Sequence, residues 1–300
     1  MPTRPSSSIN FSNDPAAPGQ ILDGARFARE IHAEIRESAE RLLREHGVRP
    51  LLAAIMVGDD PASAVYIETK RRACERDGIA SDIHNLPASV TEDELVHLIY
   101  RLNRERAVHG ILVQLPLPER AAENAALAEI APEKDVDGLS PANRARLLTG
   151  EPGLRPCTPL AVMELIARSG IDPAGKRAVI VGASLLVGKP LALMLLEYNA
   201  TVVLCHEFTR DLESEIANAD IVVAAVGKSG LIRGDWIRPG AVVIDVGINR
   251  TPNGLAGDVE FESARRRAAF ITPVPGGVGP MTVAMVARNT LFAAQRVAGC

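Results

Sequence analysis

Aromatic residues are scarce in this 300-residue chain: six Phe, three Tyr and one Trp. Little is left from which to build stacking platforms for single-stranded nucleic acid. An excess of positive charge is also missing, with 33 Lys plus Arg against 37 Asp plus Glu and a formal net charge of −4. No basic stripe is expected to follow a phosphate backbone, so nucleic acid is not an expected partner. No run approaches the roughly 18 apolar residues of a membrane-spanning helix, and no membrane association is expected. Cys74, Cys157, Cys205 and Cys300 are scattered without metal-ligand spacing. In a chain long enough to bury its own core they read as free thiols in a reducing, cytoplasmic setting. Residues 1–18, rich in Pro, Ser and Asn, lack the apolar centre of a secretory signal and read as a disordered extension.

What the chain does have is alternation. Arg26 to His46 reads as a helix and the apolar run Leu51 to Val57 as a strand. Pro61 to Asp77, opened by proline and closed by Gly78, carries helix start and stop signals. Ile79 to Leu86 reads as a strand, Glu92 to Arg104 as a helix, Ile111 to Leu115 as a buried strand and Glu119 to Ile130 as a helix. A loop-rich stretch from Pro132 to Pro159 is the best candidate boundary. A second alternating series follows, with strands at 178–182, 201–207, 221–227, 241–247 and 269–272 and helices at 189–197 and 211–218. Pro273 to Pro280, dense in proline and glycine, reads as a fixed loop, and Met281 to Val297 as a terminal helix. Strands alternating with helices imply crossover units, hence an α/β protein of two domains, each with a mostly parallel sheet.

Several groups could carry chemistry. Gly182, Ala183, Ser184 and Gly188 form a glycine turn between a strand and a helix, where a doubly wound fold offers backbone N–H groups to a phosphate. The spacing departs from G-x-G-x-x-G, and a purely structural turn is about as common. Glu207 lies 25 residues after Gly182, near the ~20 expected of an acid that binds a ribose hydroxyl. Ser63, Tyr66 and Lys70 share one helix face, where a phenol and an ammonium can move protons, although such pairs are more often plain surface. Gln114, at the end of an apolar strand, needs polar partners. Asp135 and Asp137 offer two carboxylates in a glycine-turned loop, but no further ligand has metal spacing, so a bond to a cationic or amidine-like ligand fits better than a metal.

Together these segments closely resemble the bifunctional methylenetetrahydrofolate dehydrogenase/cyclohydrolase family. The resemblance rests on Val57-GDDPAS-Ser63, Tyr66-x-x-x-Lys70, Gly110-ILVQLPLP-Pro118, Pro132-EKDVDG-Gly138, Pro156-CTP-Pro159, Val181-GAS-Ser184 with Val187-GKP-Pro190, Asp245-VGINR-Arg250, Gly257-DV-Val259 and Ile271-TPVPGGVGPMT-Thr282. It implies oxidation of 5,10-methylenetetrahydrofolate with NAD or NADP, then hydrolysis of the methenyl product to 10-formyltetrahydrofolate. It further implies a homodimer that uses no metal. A folate domain (19–156 with 284–300) would stand beside a Rossmann-like NAD(P)-binding domain (157–283).

Carried over by position, Lys70 resembles the catalytic lysine and Gln114 its hydrogen-bonding partner. Tyr66 resembles the residue that stacks on the folate, and Asp137 the acid that anchors the pterin. Pro275, Gly276 and Gly277 resemble the substrate-facing loop, while Gly182, Ala183, Ser184 and Ile248 match cofactor contacts. Members preferring NADP generally carry arginine at or near Ala183 and Glu207. A carboxylate at Glu207 favours a free ribose hydroxyl over a 2′-phosphate, which leans to NAD. Arg210 and Arg233 remain as cations able to restore phosphate binding. The alternatives are a monofunctional dehydrogenase and a non-catalytic paralogue that binds folate or nucleotide.

Overall fold

A run of apolar residues without alternation marks a strand covered on both faces, and Leu51–Val57 is the clearest case. The computed structural model describes residues 19–118, 120–252 and 254–300, and the extension expected over 1–18 lies outside them. The first part of the chain runs β1 (Gln20–Ile21), α1 (Gly24–His46), β2 (Leu51–Val57), α2 (Pro61–Arg76), β3 (Ala80–Leu86), α3 (Glu92–Arg104), β4 (Gly110–Val113), α4 (Arg120–Glu129), α5 (Pro141–Thr149) and α6 (Cys157–Arg168). The second runs β5 (Arg177–Val181), α7 (Gly188–Glu197), β6 (Thr201–Cys205), α8 (Leu212–Ala217), β7 (Ile221–Ala224), β8 (Val242–Asp245), β9 (Asn249–Thr251), β10 (Gly254–Ala256), α9 (Phe261–Arg265), β11 (Phe270–Ile271) and α10 (Val278–Ala298).

Backbone contacts divide the chain into two units. One comprises Ala25–Ala161 with Gly279–Cys300, the other 19–24 with Val162–Val278. The division falls inside α6 and α10, a few residues from the boundaries read from the sequence. Residues 19–24, expected in the folate domain, group with the second unit because Gln20 and Ile21 pair in parallel with Phe270 and Ile271.

The first unit holds a parallel three-stranded sheet in the order β3-β2-β4. Ile55, Ile111 and Val113 from this sheet pack with Leu95, Ile99 and Leu102 of α3 in one apolar cluster. Helix α2 begins where sequence logic places it: the Asp60 carboxylate accepts from the Ser63 N–H at 2.7 Å, and Pro61 fills a first-turn position that needs no donor. Thr91 and Glu94 close a reciprocal capping box at the start of α3. Within the stretch read as loop, α5 is a true helix, capped by Ser140 and ended by Gly150 in the left-handed conformation.

The second unit is built on a six-stranded sheet in the order β1-β11-β8-β7-β5-β6, with every neighbouring pair parallel. Strand β5, the unit's first after the chain's long excursion through residues 25–161, has β6 on one side and β7 on the other. The chain therefore reverses winding there, and the crevice beyond the carboxyl end of β5 is where such sheets bind ligands. Two expectations need correction. Strand β6 ends at Cys205, so Glu207 lies beyond it in a turn held by Thr209 N–H to His206 O at 2.9 Å and His206 N–H to Thr209 Oγ1 at 3.0 Å. Helix α10 starts at Val278 within the stretch read as irregular, because Pro280 falls in its first turn, where the missing N–H costs nothing.

Candidate active site

In the first unit the chemistry gathers where strands β2 and β4 end and helix α2 passes. Strand β4 stops at Val113, so Gln114 is the first residue past it, its N–H bonded to Ile55 O at 2.9 Å. Its side-chain amide is oriented from both ends. Nε2 donates to Leu115 O at 2.9 Å, which leaves Oε1 to accept from Lys70 Nζ at 3.1 Å. Lys70 is half-buried; Tyr66, one turn earlier on α2, is 45% exposed and open to a planar ligand. Ser63, placed on the same face by its spacing, is instead buried.

The carboxylates Asp135 and Asp137 have different surroundings. Asp135 is fully buried and spent on its own loop, accepting from Leu139 N–H at 3.1 Å, Ser140 N–H at 2.7 Å and Asn143 Nδ2 at 2.9 Å. Three of its roughly four acceptor positions are taken and the group is sealed from solvent, so it is closed to a ligand. Asp137 is half-buried, and desolvation raises its pKa above the ordinary carboxylate value. The Lys70 ammonium pulls in the opposite direction, the Asp135 charge adds to the rise, and a hydrogen bond from the Cys157 thiol lowers it. Burial and the Asp137 charge push the Cys157 thiol well above its usual range, so it stays protonated, its single proton shared between the Asp137 carboxyl and Val136 O at 3.1 Å. The Lys70 ammonium thus has a fixed partner in Gln114, and its charge favours the ionised form of Asp137.

In the second unit the loop after β5 is shaped by glycine where only glycine fits. Gly182 sits at φ +118°, and a Cβ there would lie 2.1 Å from Ala225 O. A Cβ at Gly188 would lie 1.8 Å from Gly182 O, so the start of α7 rests directly on the peptide that follows β5. Ser184 Oγ accepts from Val187 N–H at 3.1 Å, Ala183 is half-buried beside it, and the first turn of α7 faces the crevice beyond β5. This bare-backbone cradle fits the pyrophosphate of a dinucleotide. Glu207 is exposed in the turn after β6, and Ile248 is 46% exposed after β8. Arg233, one of the cations considered for a 2′-phosphate, is already paired with Asp235 at 2.6 Å. Pro275 is exposed and Gly276 half-buried, while Gly277 is buried, with no room for a side chain between Pro273 O and Thr272.

A family model described as the tetrahydrofolate dehydrogenase/cyclohydrolase catalytic domain matches residues 22–137, and that family's NAD(P)-binding domain matches 156–298. A bifunctional FolD protein from Moorella thermoacetica is 56% identical over 280 residues, covering 93% of this chain and all of the relative. The crystal structure of a bifunctional FolD methylenetetrahydrofolate dehydrogenase/cyclohydrolase from Campylobacter jejuni is similar at TM-score 0.90 and 46% identity, over 92% of this chain and 99% of that one. A FolD structure from Trypanosoma brucei, complexed with NADP cofactor and inhibitor, gives TM-score 0.89 and 42% identity over 93% and 98% of the two chains. The chain belongs to the bifunctional tetrahydrofolate dehydrogenase/cyclohydrolase family.

Against the family resemblance read from the sequence, the structure adds residues that spacing did not single out. Asp258 is fully buried and accepts from the N–H groups of Val226, Gly227 and Lys228 at 2.7, 3.0 and 2.8 Å, which fixes the loop after β7. It also receives Asn249 Nδ2 at 2.9 Å, and its carboxylate occupies the space a Cβ on Gly247 would need. Burial raises the Asp245 carboxyl to about 6, although three backbone N–H groups donate to it. Cys157 and Asn289 meet beside Asp137 and were not singled out for a role there. Asp245, Asp258 and Cys157 carry a sequence signal only as members of the motif segments Asp245-VGINR-Arg250, Gly257-Asp258-Val259 and Pro156-Cys157-Thr158-Pro159, and Asn289 lies in none. Among the described residues no group of three or more His, Cys, Asp and Glu side chains is placed to hold a metal ion, and no helix is long and apolar enough to cross a membrane.

Proposed function

We propose that this chain oxidises 5,10-methylenetetrahydrofolate with a nicotinamide dinucleotide and hydrolyses the methenyl product to 10-formyltetrahydrofolate. Both activities follow from its family and from the near-complete coverage of bifunctional relatives. The observation that carries the residue assignment is the Lys70 ammonium held 3.1 Å from Gln114 Oε1 with Asp137 alongside.

In this reading Tyr66 stacks on the folate and Asp137 accepts hydrogen bonds from the pterin's amino and ring N–H groups, which fixes the ring over Lys70. The dinucleotide supplies the hydride acceptor. As hydride leaves the bridging carbon, cationic charge spreads over two ring nitrogens, and this step asks for alignment more than for acid catalysis. Water then attacks the methenyl carbon, and the adduct must lose one proton and regain another at the departing nitrogen. Lys70 handles those protons, and Gln114 holds its Nζ in place. Gly182, Ala183, Ser184 and Gly188 receive the pyrophosphate, Ile248 and the loop of Pro275, Gly276 and Gly277 border the nicotinamide, and Glu207 meets the adenosine ribose. With Glu207 exposed and Arg233 engaged by Asp235, NAD is the favoured dinucleotide. The working form is taken to be a cytoplasmic homodimer that needs no metal.

One assay tests this. The purified chain is given methylenetetrahydrofolate with NAD or NADP, and absorbance is followed for reduced nicotinamide and for the methenyl product. Reduction with transient methenyl accumulation is expected. Absence of reduction with both dinucleotides would refute the assignment, and stable methenyl accumulation would refute the second activity.

A further inference from the structure

Among the described residues Asp137 lacks the backbone donors that hold Asp135, and its one hydrogen-bonding neighbour is the weakly donating Cys157 thiol, so its direction depends chiefly on the peptide that carries it. That peptide is held from a distant part of the chain. Asn289 of α10 is buried, and its Nδ2 donates to Val136 O at 2.8 Å and to Arg155 O at 3.1 Å. Both amide protons are used, on carbonyls of two different loops. Cys157 completes the joint: its Sγ lies 3.5 Å from Asn289 Nδ2, and its thiol donates to the same Val136 O. The loops also meet backbone to backbone, since a Cβ on Gly138 (φ +67°) would lie 2.4 Å from the Arg155 carbonyl carbon. Val136 O belongs to the peptide that enters Asp137. Fixing that plane, together with the following peptide held by Gly138 N–H to Asp135 O at 3.0 Å, sets the Asp137 Cα–Cβ direction from which the carboxyl group extends.

The geometry points to Asn289 as a positioning residue for folate binding: its amide clamps the Val136–Asp137 peptide to the Arg155 loop and so aims the Asp137 carboxyl at the pterin. This rests on the reading of Asp137 as the pterin anchor given above.

Asn289→Asp tests the clamp without changing the side chain's shape. As a carboxylate it would set negative oxygens against two carbonyls; once protonated, it regains a single donor. The Michaelis constant for methylenetetrahydrofolate should rise about tenfold or more at alkaline pH, in the range expected from losing buried hydrogen bonds. The ratio of variant to wild-type KM should fall as pH is lowered, and the KM for the dinucleotide should stay unchanged at every pH. A residue that merely stabilised the fold would lower Tm without this pH-dependent rise confined to the folate. Asn289→Ser, smaller and neutral, guards against misfolding of the first variant and should give an intermediate folate KM. Wild-type folate KM in either folded variant would overturn the proposal. Asp137→Ala is run in parallel. If it raises the folate KM while both Asn289 variants do not, only the positioning role fails. If Asp137→Ala leaves the folate KM unchanged, the pterin-anchor reading itself fails.

Discussion

Replacing Lys70 with methionine keeps an unbranched apolar stem one atom shorter and removes one proton-carrying group. Two consequences follow from the geometry. The first is kinetic. Lys70 is half-buried and its Nζ is oriented by Gln114 Oε1 at 3.1 Å, which would hold it in place relative to a folate ring. General acid–base catalysis by a positioned group contributes about 10²–10⁴-fold, equivalent to roughly 3–5 kcal/mol of barrier. Lys70→Met should therefore slow hydrolysis of the methenyl compound by that factor. The hydride step needs alignment rather than a proton, so its rate should fall far less. The second consequence is electrostatic. The Lys70 charge now works against the desolvation that raises the Asp137 pKa. Without it, Asp137 should protonate at higher pH, and the acid limb of folate binding should move upward. Both are measurable in one experiment, with reduced nicotinamide and methenyl absorbance followed across pH. Wild-type hydrolysis of methenyltetrahydrofolate by the variant would refute the assigned role. An unmoved acid limb would refute the coupling to Asp137.

Three further outcomes are expected. The buried pair His32 and Asp77 ties α1 to the end of α2, and Asp77 Oδ1 has no partner among the described residues. His32→Leu should therefore cost about 3–5 kcal/mol in urea unfolding, with part of that recovered when Asp77 is also made apolar; a cost under about 1 kcal/mol would contradict it. The Asp245 carboxyl is raised from 3.8 to about 6 in the folded chain, so its contribution to stability is fully present below about pH 4 and lost as pH rises through 6. The stability gap between wild type and Asp245→Asn should narrow by up to roughly 3 kcal/mol from pH 4 to pH 7, and a gap that widens would reverse the sign. Glu207→Arg should move the ratio of kcat/KM for NADP over NAD upward by about tenfold, as expected when a like charge at a 2′-phosphate becomes an opposite one; an unchanged ratio would place the ribose elsewhere.

Much of the fold was legible because its strands are buried on both faces and so appear as unbroken apolar runs, Leu51–Val57 and Ile221–Ala224 among them. Helix α5 was not legible. Its start and stop signals, Ser140-Pro141 and Gly150, were present, but only Leu147 and Asn143 are buried while Leu148 is 69% exposed, so the apolar stripe is too thin to read. Strand β1 is two residues long and exists only through its partner Phe270–Ile271, 250 residues away. Glu207 was placed on a strand because the apolar run continues to Cys205, whereas the turn after it depends on a side chain, Thr209 Oγ1. In the site, Tyr66 and Lys70 share a helix and were paired by spacing. The bond from Lys70 to Gln114 spans 44 positions and carries no periodic signature; it was anticipated only through the family resemblance. Asn289 reaches Val136 across 153 positions, through a side-chain bond to a backbone carbonyl that no residue-type pattern encodes.

The four buried or half-buried aspartates near these loops suggest why only one is left for a ligand. A carboxylate offers about four acceptor positions, and backbone donors can saturate them. Asp135 and Asp258 accept three and four protein donors respectively, and each holds a loop at the carboxyl end of a parallel sheet. Asp245 accepts three backbone N–H groups and closes the turn through Gly247. Asp137 departs from this pattern. Its hydrogen bond is with the Cys157 thiol, a weak donor, and desolvation outweighs it, so the group remains under-satisfied in the free chain. A ligand bringing paired N–H donors would supply what the loop withholds, and would return the Asp137 pKa toward the ordinary carboxylate range. Folate binding should then release affinity as pH falls through that raised pKa. The saturated aspartates two and more residues away keep the loops in shape without competing for the same donors.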